Sequence, residues 1–300
     1  AIALKTVDAD YAAFQKAICY GFMAKNDKKI SDFNQFLKTY PNSQYRDDAL
    51  FELANTYTAE NETTSSIKTY DQLIAENSNG SYASKAILRQ GLIYYNADKD
   101  EQALTKFKKV VADFPKSDEA LEAVKTARLI YVDNGKVDQY ATWVKSLDFV
   151  EISDADLDND SWEAAEKQYL QGNTKQAITN LSSYNKTFPE GLHSLKANFF
   201  LAQSLYADGQ AKNAVANYEY VIAKSRSEYT EQALSRLCEI YIKESDTPKA
   251  ISVLLRLEAE SDFPQNKTYA QANLMRSYYD GKDYANAVVY ADKVLLNPKT

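Results

Sequence analysis

The chain has 300 residues, with 35 Lys and Arg against 42 Asp and Glu and a formal net charge of -7. This balance argues against a general nucleic-acid binder, because such proteins need a basic face to displace counterions from phosphates. Only 8 glycines and 6 prolines occur, which favours helices over strand-and-turn folds. No apolar run approaches the roughly 18 residues that span a bilayer. We therefore expect a soluble, mostly helical protein.

A repeat with a period of 36 or 37 residues runs along the chain, and a period of this length is typical of stacked-unit architectures. From the N-terminus, the first recurring position holds mostly small residues: Ala17, Ala54, Gly91, Arg128, Ala165, Ala202, Cys238 and Met275. The position three residues later is mostly aromatic: Tyr20, Tyr57, Tyr94, Tyr131, Gln168, Leu205, Tyr241 and Tyr278. A second, mostly small position follows: Lys29, Ser66, Ala103, Tyr140, Ala177, Ala214, Ala250 and Ala287. Four residues later comes a mostly large apolar position: Phe33, Tyr70, Phe107, Val144, Leu181, Tyr218, Leu254 and Ala291.

Each unit contains two blocks of about 14 residues with helical apolar spacing, separated by a polar break. In the third unit the blocks are AILRQGLIYY and EQALTKFKKVVADF. Small residues at two positions let paired helices approach closely, and the large positions fill the space between neighbouring hairpins. Pro41, Pro115 and Pro189 end the second helix of three units, because proline cannot continue a helix. The pattern predicts eight helix-turn-helix units.

These columns resemble the tetratricopeptide repeat (TPR) family, whose pattern is reproduced most closely by Gly91, Tyr94, Ala103, Phe107 and Pro115. The resemblance implies an all-α fold, a TPR-like α-solenoid of about eight units that forms a right-handed superhelix. The links YPNSQYRDDA, FPKSDEA and FPEGLHSLKA resemble those of periplasmic and outer-membrane-associated TPR proteins of Gram-negative bacteria. That likeness implies a location in the periplasm or at the outer membrane; the alternative is the cytoplasm.

The fourth unit departs most from the pattern, with Arg128 at a small position and Val144 at an aromatic one. We therefore expect residues 1–150 to hold units 1 to 4 and residues 151–300 to hold units 5 to 8, within one continuous superhelix or as part of a longer array. The junction is predicted at residues 149–160. In its acidic run, Asp160 or Ser161 is expected to cap a helix that begins at Trp162, and the other carboxylates are expected to be solvated.

Catalytic and metal-binding patterns find little support. His193 is the only histidine, so a zinc site is not expected. A calcium loop counted from Asp154 fails, since Asn159 and Ala165 stand where Gly and Glu are needed. The sequence predicts no enzyme, no metal and no cofactor. Cys19 and Cys238 lie in apolar helical stretches and are expected to be buried free thiols.

A protein-binding surface is the remaining candidate. In the TPR family, positions one and four residues after the first small position line the concave groove. Carried across, this places the following residues in the groove: Asn55, Tyr95, Glu166, Tyr169, Gln203, Tyr206, Glu239, Arg276 and Tyr279. Tyrosines with interleaved polar groups suit peptide binding. The alternative is that these tyrosines only pack one hairpin on the next.

We therefore predict a non-enzymatic scaffold that binds a protein or peptide segment in the groove, with no nucleic-acid partner, no cofactor and no transmembrane segment. The second hypothesis is an outer-membrane-associated protein that binds glycans or nutrients, for which Trp143 and Trp162 are the only tryptophans. A chaperone-type carboxylate clamp is not expected, because Phe51 and Phe199 stand at two of its positions.

Overall fold

Every regular secondary-structure element in the described part of the chain is an α-helix. A computed structural model describes residues 8–296, and within them the chain forms sixteen α-helices and no strands. It divides into two bodies, one up to Glu151 and one from Ile152 onward. The helices of the first body are α1 (Ala9–Phe22), α2 (Asn26–Thr39), α3 (Arg46–Ala59), α4 (Thr63–Glu76), α5 (Ala83–Tyr95), α6 (Asp100–Asp113), α7 (Asp118–Asp133) and α8 (Val137–Val144). The helices of the second are α9 (Asp154–Leu170), α10 (Thr174–Thr187), α11 (Ser194–Ala207), α12 (Ala211–Ala223), α13 (Thr230–Lys243), α14 (Thr247–Glu260), α15 (Pro264–Asp280) and α16 (Tyr284–Leu295).

Successive helices pair as hairpins, from α1–α2 to α15–α16, which we number units 1 to 8. Each hairpin also packs on the next one within its own body. The predicted all-α class and the eight helix-turn-helix units are confirmed. The continuous superhelix and the two predicted halves stay predictions, and the outer ends of those halves, residues 1–7 and 297–300, lie outside the described residues.

Most of the alanines in the two small columns are fully buried. Ala54, Ala103, Ala165 and Ala214 have no solvent-exposed surface. The residues of the large column are equally buried: Phe33, Tyr70, Phe107, Val144, Leu181, Tyr218 and Leu254. Because protein cores are densely packed, the size of each of these residues is limited by the side chains that surround it.

Gly91 shows how close the approach is in unit 3. A Cβ atom at this residue would lie 2.5 Å from Cε1 of Phe107, well inside van der Waals contact. Glycine stands at this position because the Phe107 ring occupies the space that an alanine methyl group would need.

The turn between paired helices is built in the same way in all eight units. A residue just after each first helix has a positive φ, the second one in seven units and the third one in unit 3: Ala24, Asn61, Asp98, Gly135, Gly172, Gly209, Ser245 and Lys282. The next residue donates its N–H to the carbonyl of the aromatic column, at 2.8 to 3.0 Å in every unit, as in Lys25 to Tyr20. This is the Schellman cap, which satisfies the last carbonyls of a helix.

Unit 4 and the segment after it differ from the sequence prediction. Helix α8 has only 8 residues, and α9 already begins at Asp154. Its N-cap is Ser153, whose hydroxyl accepts the Asp156 N–H at 3.1 Å while Asp156 accepts the Ser153 N–H at 3.0 Å. The prediction that Asp160 or Ser161 caps this helix was wrong, because this reciprocal pair starts the helix earlier.

Two further expectations are corrected. Asp158 is buried rather than solvated, at 7% exposed, and Asp160, which was expected at the cap, is 1% exposed inside α9. Asp158 accepts hydrogen bonds from the Tyr184 hydroxyl and from the Leu192 N–H, so a later part of the chain encloses it. Cys238 is buried as expected, but Cys19 is exposed on α1.

We predict that the turn residues have a direct effect on stability. A Cβ at Gly172, where φ is +74°, would meet no atom within 4 Å, so Gly172→Ala carries only the backbone penalty of the left-handed region. It should lower the free energy of unfolding by about 1 kcal/mol. The reverse change, Lys282→Gly at a φ of 62°, should not destabilise and should relieve part of that penalty. Urea unfolding of both variants checks this, and an unaffected Gly172→Ala variant would contradict the turn assignment.

Candidate protein-binding face

The predicted groove positions of the second body lie on its first helices, α9, α11, α13 and α15. Neighbouring first helices such as α9 and α11 are in contact. We call the surface formed by Glu166, Tyr169, Gln203, Tyr206, Glu239, Arg276 and Tyr279 the first-helix face. The first five are partly exposed, and Arg276 and Tyr279 are exposed. Residues one and four positions after a buried small residue are neighbours on a helix surface, which explains why they share a face.

Glu166 and Tyr169 both contact the next unit. The Glu166 carboxylate accepts a hydrogen bond from Nζ of Lys196 at 2.6 Å. The same ammonium group lies 5.2 Å from the centroids of Trp162 and Phe200. The Tyr169 ring stacks on Phe200, with centroids 3.9 Å apart. For Tyr169, the structure therefore supports the alternative that it packs one hairpin on the next.

Gln203 is held in one orientation by a buried tyrosine. The Tyr218 hydroxyl donates to Oε1 of Gln203 at 2.9 Å, and in unit 2 the Tyr70 hydroxyl donates to Oδ1 of Asn55 at 2.6 Å. In the described part of the chain, neither amide nitrogen has a hydrogen-bond partner. With its oxygen engaged, each amide keeps its NH₂ group free to donate.

Burial keeps both of these tyrosines neutral. It raises the pKa of Tyr70 to about 12 and raises the pKa of Tyr218 further. A phenol with a raised pKa remains a hydrogen-bond donor at physiological pH. The orientation of Asn55 and Gln203 is therefore fixed across the physiological range.

Tyr206, Arg236 and Glu239 form one hydrogen-bonded group across units 6 and 7. Glu239 Oε2 accepts from the Tyr206 hydroxyl and from Nη1 of Arg236, both at 2.8 Å. The Arg236 guanidinium lies 4.6 Å from the centroid of the Tyr206 ring. The hydrogen bond to Glu239, aided by burial, raises the pKa of Tyr206. The charge of Glu239 is thus balanced within the face.

Arg276 and Tyr279 are the two residues of the first-helix face that are exposed to solvent. They line an apolar cavity between α15 and α16 together with Met275, Tyr284 and Val288. Tyr279 is 64% exposed, and its ring meets Tyr284 edge-on at 5.7 Å. Arg276 has no ion pair with any of the described residues, so its charge is available to a ligand.

The two predicted groove residues of the first body, Asn55 and Tyr95, lie on different first helices, α3 and α5. Asn55 borders a cleft with Ile18, Lys29 and Glu52, in which Lys29 and Glu52 form a 2.7 Å ion pair. Tyr95 is partly exposed at the end of α5. Whether these residues and the first-helix face bind a partner stays a prediction.

Sequence reasoning missed four side chains that shape the face: Lys196, Phe200, Tyr218 and Arg236. The three-residue spacing of Arg236 and Glu239 was a readable signal, since side chains three apart on a helix meet. Phe200 and Lys196 carried no comparable signal, because they contact residues about 30 positions earlier.

Neither tryptophan has an exposed indole ring on which a sugar could stack. Trp162 is 6% exposed and stacks on His193 with centroids 5.2 Å apart. Trp143 is partly buried and packs against Tyr131 and Tyr140. The glycan-binding alternative therefore lacks the exposed indole ring that it assumed.

Within residues 8–296, no three His, Cys, Asp or Glu side chains come together as a metal site. No helix in the same range combines the length and apolar character that a bilayer span needs.

A family model for the tetratricopeptide repeat matches residues 11–43, 48–80 and 85–117. These segments correspond to units 1 to 3, so the match covers the first three hairpins. Comparison with curated protein sequences gave no significant match.

Solved structures provide likenesses in fold. A tetratricopeptide repeat protein from Parabacteroides merdae is 11% identical, with 86% of this chain and 96% of that chain covered and a TM-score of 0.41. The TPR2AB domain of yeast Sti1, solved in complex with pHSP90, is 12% identical, with 95% and 100% covered and a TM-score of 0.44. The MamA protein is 13% identical, with 73% and 92% covered and a TM-score of 0.37. Each TM-score is below 0.5, so the conclusions rest on the helices and contacts described above.

We predict that the hydrogen bond to Glu239 is the main cause of the raised pKa of Tyr206. Glu239→Gln removes the charged acceptor, so the pKa of Tyr206 should fall toward its ordinary value of 10.0. NMR titration of ¹³C-labelled tyrosine measures this pKa, with Tyr206→Phe identifying the signal. Glu166→Gln is the matched control, since Glu166 bonds Lys196 instead. An unchanged Tyr206 titration in Glu239→Gln would contradict the proposed cause.

Proposed function

We propose that this chain is a non-enzymatic scaffold that binds an extended protein segment along the first-helix face. The observation that carries the proposal is the fixed amide of Gln203, whose oxygen is held by Tyr218 and whose NH₂ group is free. The backbone carbonyls of an extended segment are the natural acceptors for such a donor, because they are not already bonded within a helix.

The surroundings of Gln203 suit the same ligand. Tyr206 offers a partly exposed ring that Arg236 and Glu239 hold in place. Arg276 offers a charge that can pair with a carboxylate, and Tyr279 an exposed ring. Aromatic and arginine side chains supply most of the binding energy at protein interfaces. Tetratricopeptide repeats, whose family model matches units 1 to 3, typically mediate protein–protein interactions.

We place this scaffold in the envelope of a Gram-negative bacterium, in the periplasm or at the outer membrane. The support is the sequence of the links between hairpins, such as YPNSQYRDDA and FPKSDEA, which resemble those of envelope TPR proteins.

The test uses a variant that removes the donor but keeps the fold. Gln203→Glu retains an oxygen for Tyr218 and lacks the NH₂ group, and Arg276→Glu reverses the free charge. The double variant should recover at least about tenfold less partner than the parent in a crosslinking pull-down, since loss of one central anchor is worth about 1.4 kcal/mol or more. Envelope and cytosolic fractions are probed in parallel.

The matched control is Gln176→Glu with Lys186→Glu, which makes the same changes at exposed residues of α10. The control should recover the partner as the parent does. Equal recovery by the parent and by Gln203→Glu/Arg276→Glu would contradict binding at the first-helix face. A partner recovered only from the cytosolic fraction would contradict the envelope location.

A further inference from the structure

The hydrogen bond that fixes Gln203 occurs twice in the chain, once in each body. In unit 6 the Tyr218 hydroxyl donates to Oε1 of Gln203 at 2.9 Å, and in unit 2 the Tyr70 hydroxyl donates to Oδ1 of Asn55 at 2.6 Å. Both tyrosine side chains are completely buried. Each body therefore presents one side-chain amide in a fixed orientation, with its NH₂ group available as a donor.

The aromatic packing around the two buried tyrosines is also the same. In unit 2 the Phe51 ring meets the buried tyrosine edge-on, with centroids 5.9 Å apart, and stacks on Tyr82 of unit 3 at 4.7 Å. In unit 6 the Phe199 ring meets the buried tyrosine edge-on at 6.4 Å and stacks on Tyr229 of unit 7 at 4.7 Å. The two amides are thus supported by the same arrangement of rings.

An arginine on the next first helix accompanies each amide. Burial raises the pKa of Tyr70 to about 12, and the positive charge of Arg89 on α5 acts against this rise. Burial likewise raises the pKa of Tyr218, and Arg236 on α13 acts against that rise. Because charge interactions weaken with distance, each guanidinium lies near the hydroxyl that holds the amide. A guanidinium at this place offers further N–H donors to a bound group.

Three columns of the repeat change together to produce these two arrangements. The position directly after the first small one holds an amide, the large column holds tyrosine, and the position two residues before the first small one of the next unit holds arginine. These residues are Asn55, Tyr70 and Arg89, which we call the first amide site, and Gln203, Tyr218 and Arg236, which we call the second amide site. In every other unit these columns hold different residue types. Three residue types that occur only together indicate one shared role.

Packing alone does not require the tyrosines. Phe33 and Phe107 occupy the same column in units 1 and 3 and are as completely buried. The hydroxyl group therefore serves to hold the amide, which an aromatic ring without a hydroxyl cannot do.

The two amide sites differ in the charge around the arginine. Arg236 donates to Glu239 at 2.8 Å, whereas the residue equivalent to Glu239 in unit 3 is Leu92. Arg89 is exposed and has no ion pair with any residue between positions 8 and 296. The first amide site therefore keeps a positive charge that the second amide site balances internally.

We propose that the chain binds two copies of the same kind of extended protein segment, one at each amide site. This inference rests on the proposed function, because it assigns to Asn55 the ligand proposed for Gln203. At each site the amide NH₂ group donates to a backbone carbonyl of the segment, and the neighbouring arginine donates to the same stretch of its backbone. The chain is then bivalent, so a partner that carries the segment twice gains affinity from both sites.

The test uses linear peptides selected from a random phage-displayed library, with the full chain as the target. Calorimetric titration of a selected peptide should give two peptides bound per parent chain. Asn55→Asp and Gln203→Glu each keep an oxygen for the tyrosine and remove the NH₂ group. Each variant should therefore bind one peptide per chain, and the affinity of the altered site should fall at least about tenfold. The double variant should bind neither peptide.

Tyr70→Phe tests whether the buried hydroxyl positions the amide. Phenylalanine fits this column in units 1 and 3, so the variant should melt as the parent does. The Asn55 amide is then free to rotate, and the affinity of the first amide site should fall by about fivefold. The second amide site should be unaffected, which separates this role from a general loss of structure.

The matched controls are Gln102→Glu and Gln176→Glu, which make the same change at exposed residues of α6 and α10. Both should bind two peptides as the parent does. A parent that binds a single peptide would overturn the inference, and so would two peptides still bound by Asn55→Asp. If that single peptide is lost in Gln203→Glu, the proposed function stands without the first amide site. A peptide that still binds the double variant, or a library that yields none, would contradict the proposed function and the inference together.

Discussion

The close approach of two helices at a small residue is the constraint on which the rest of this structure depends. Ala54, Ala103, Ala165 and Ala214 have no solvent-exposed surface. At Gly91 even a methyl group would collide with Phe107. The large apolar residues of the second helices are buried alongside these contacts, and burial of apolar surface supplies the main stabilisation.

The second constraint is the turn, because it determines how the chain returns after each first helix. One residue per unit takes the left-handed conformation, and the next N–H bonds to the carbonyl of the aromatic column. The successive turn residues are 37 positions apart, except for Gly209 and Ser245, which are 36 apart. Because the turn is the same in each unit, the chain reverses at the same place in the repeat each time. The exposed positions of the first helices therefore recur at the same place in each unit.

Much of the fold could be predicted from the sequence, because small and large residues alternate at a fixed period. The start of α9 could not, since several residues near position 153 are good caps and the choice depends on the reciprocal bonds of Ser153 and Asp156. The burial of Asp158 depends on Tyr184 and Leu192, which lie 26 and 34 positions later. Contacts between residues that far apart leave no local pattern to read.

The face was predictable by position but not by environment. Tyr169 and Tyr279 occupy the same column, yet Tyr169 stacks on Phe200 of the next unit while Tyr279 is 64% exposed. What a groove residue can offer a partner is decided by the residue that follows it about 30 positions later. The same holds for Tyr206, which Arg236 and Glu239 engage.

The most direct test of this account is the stability of Ala214→Glu compared with that of Ala216→Glu. Ala214 is fully buried at the helix contact of unit 6, and Ala216 is exposed on the same helix, α12. A charge forced between the paired helices should lower the free energy of unfolding by about 3 to 5 kcal/mol. The exposed substitution should change it by no more than about 0.5 kcal/mol. Equal stability of the two variants would contradict the claim that close approach at the small columns holds the units together.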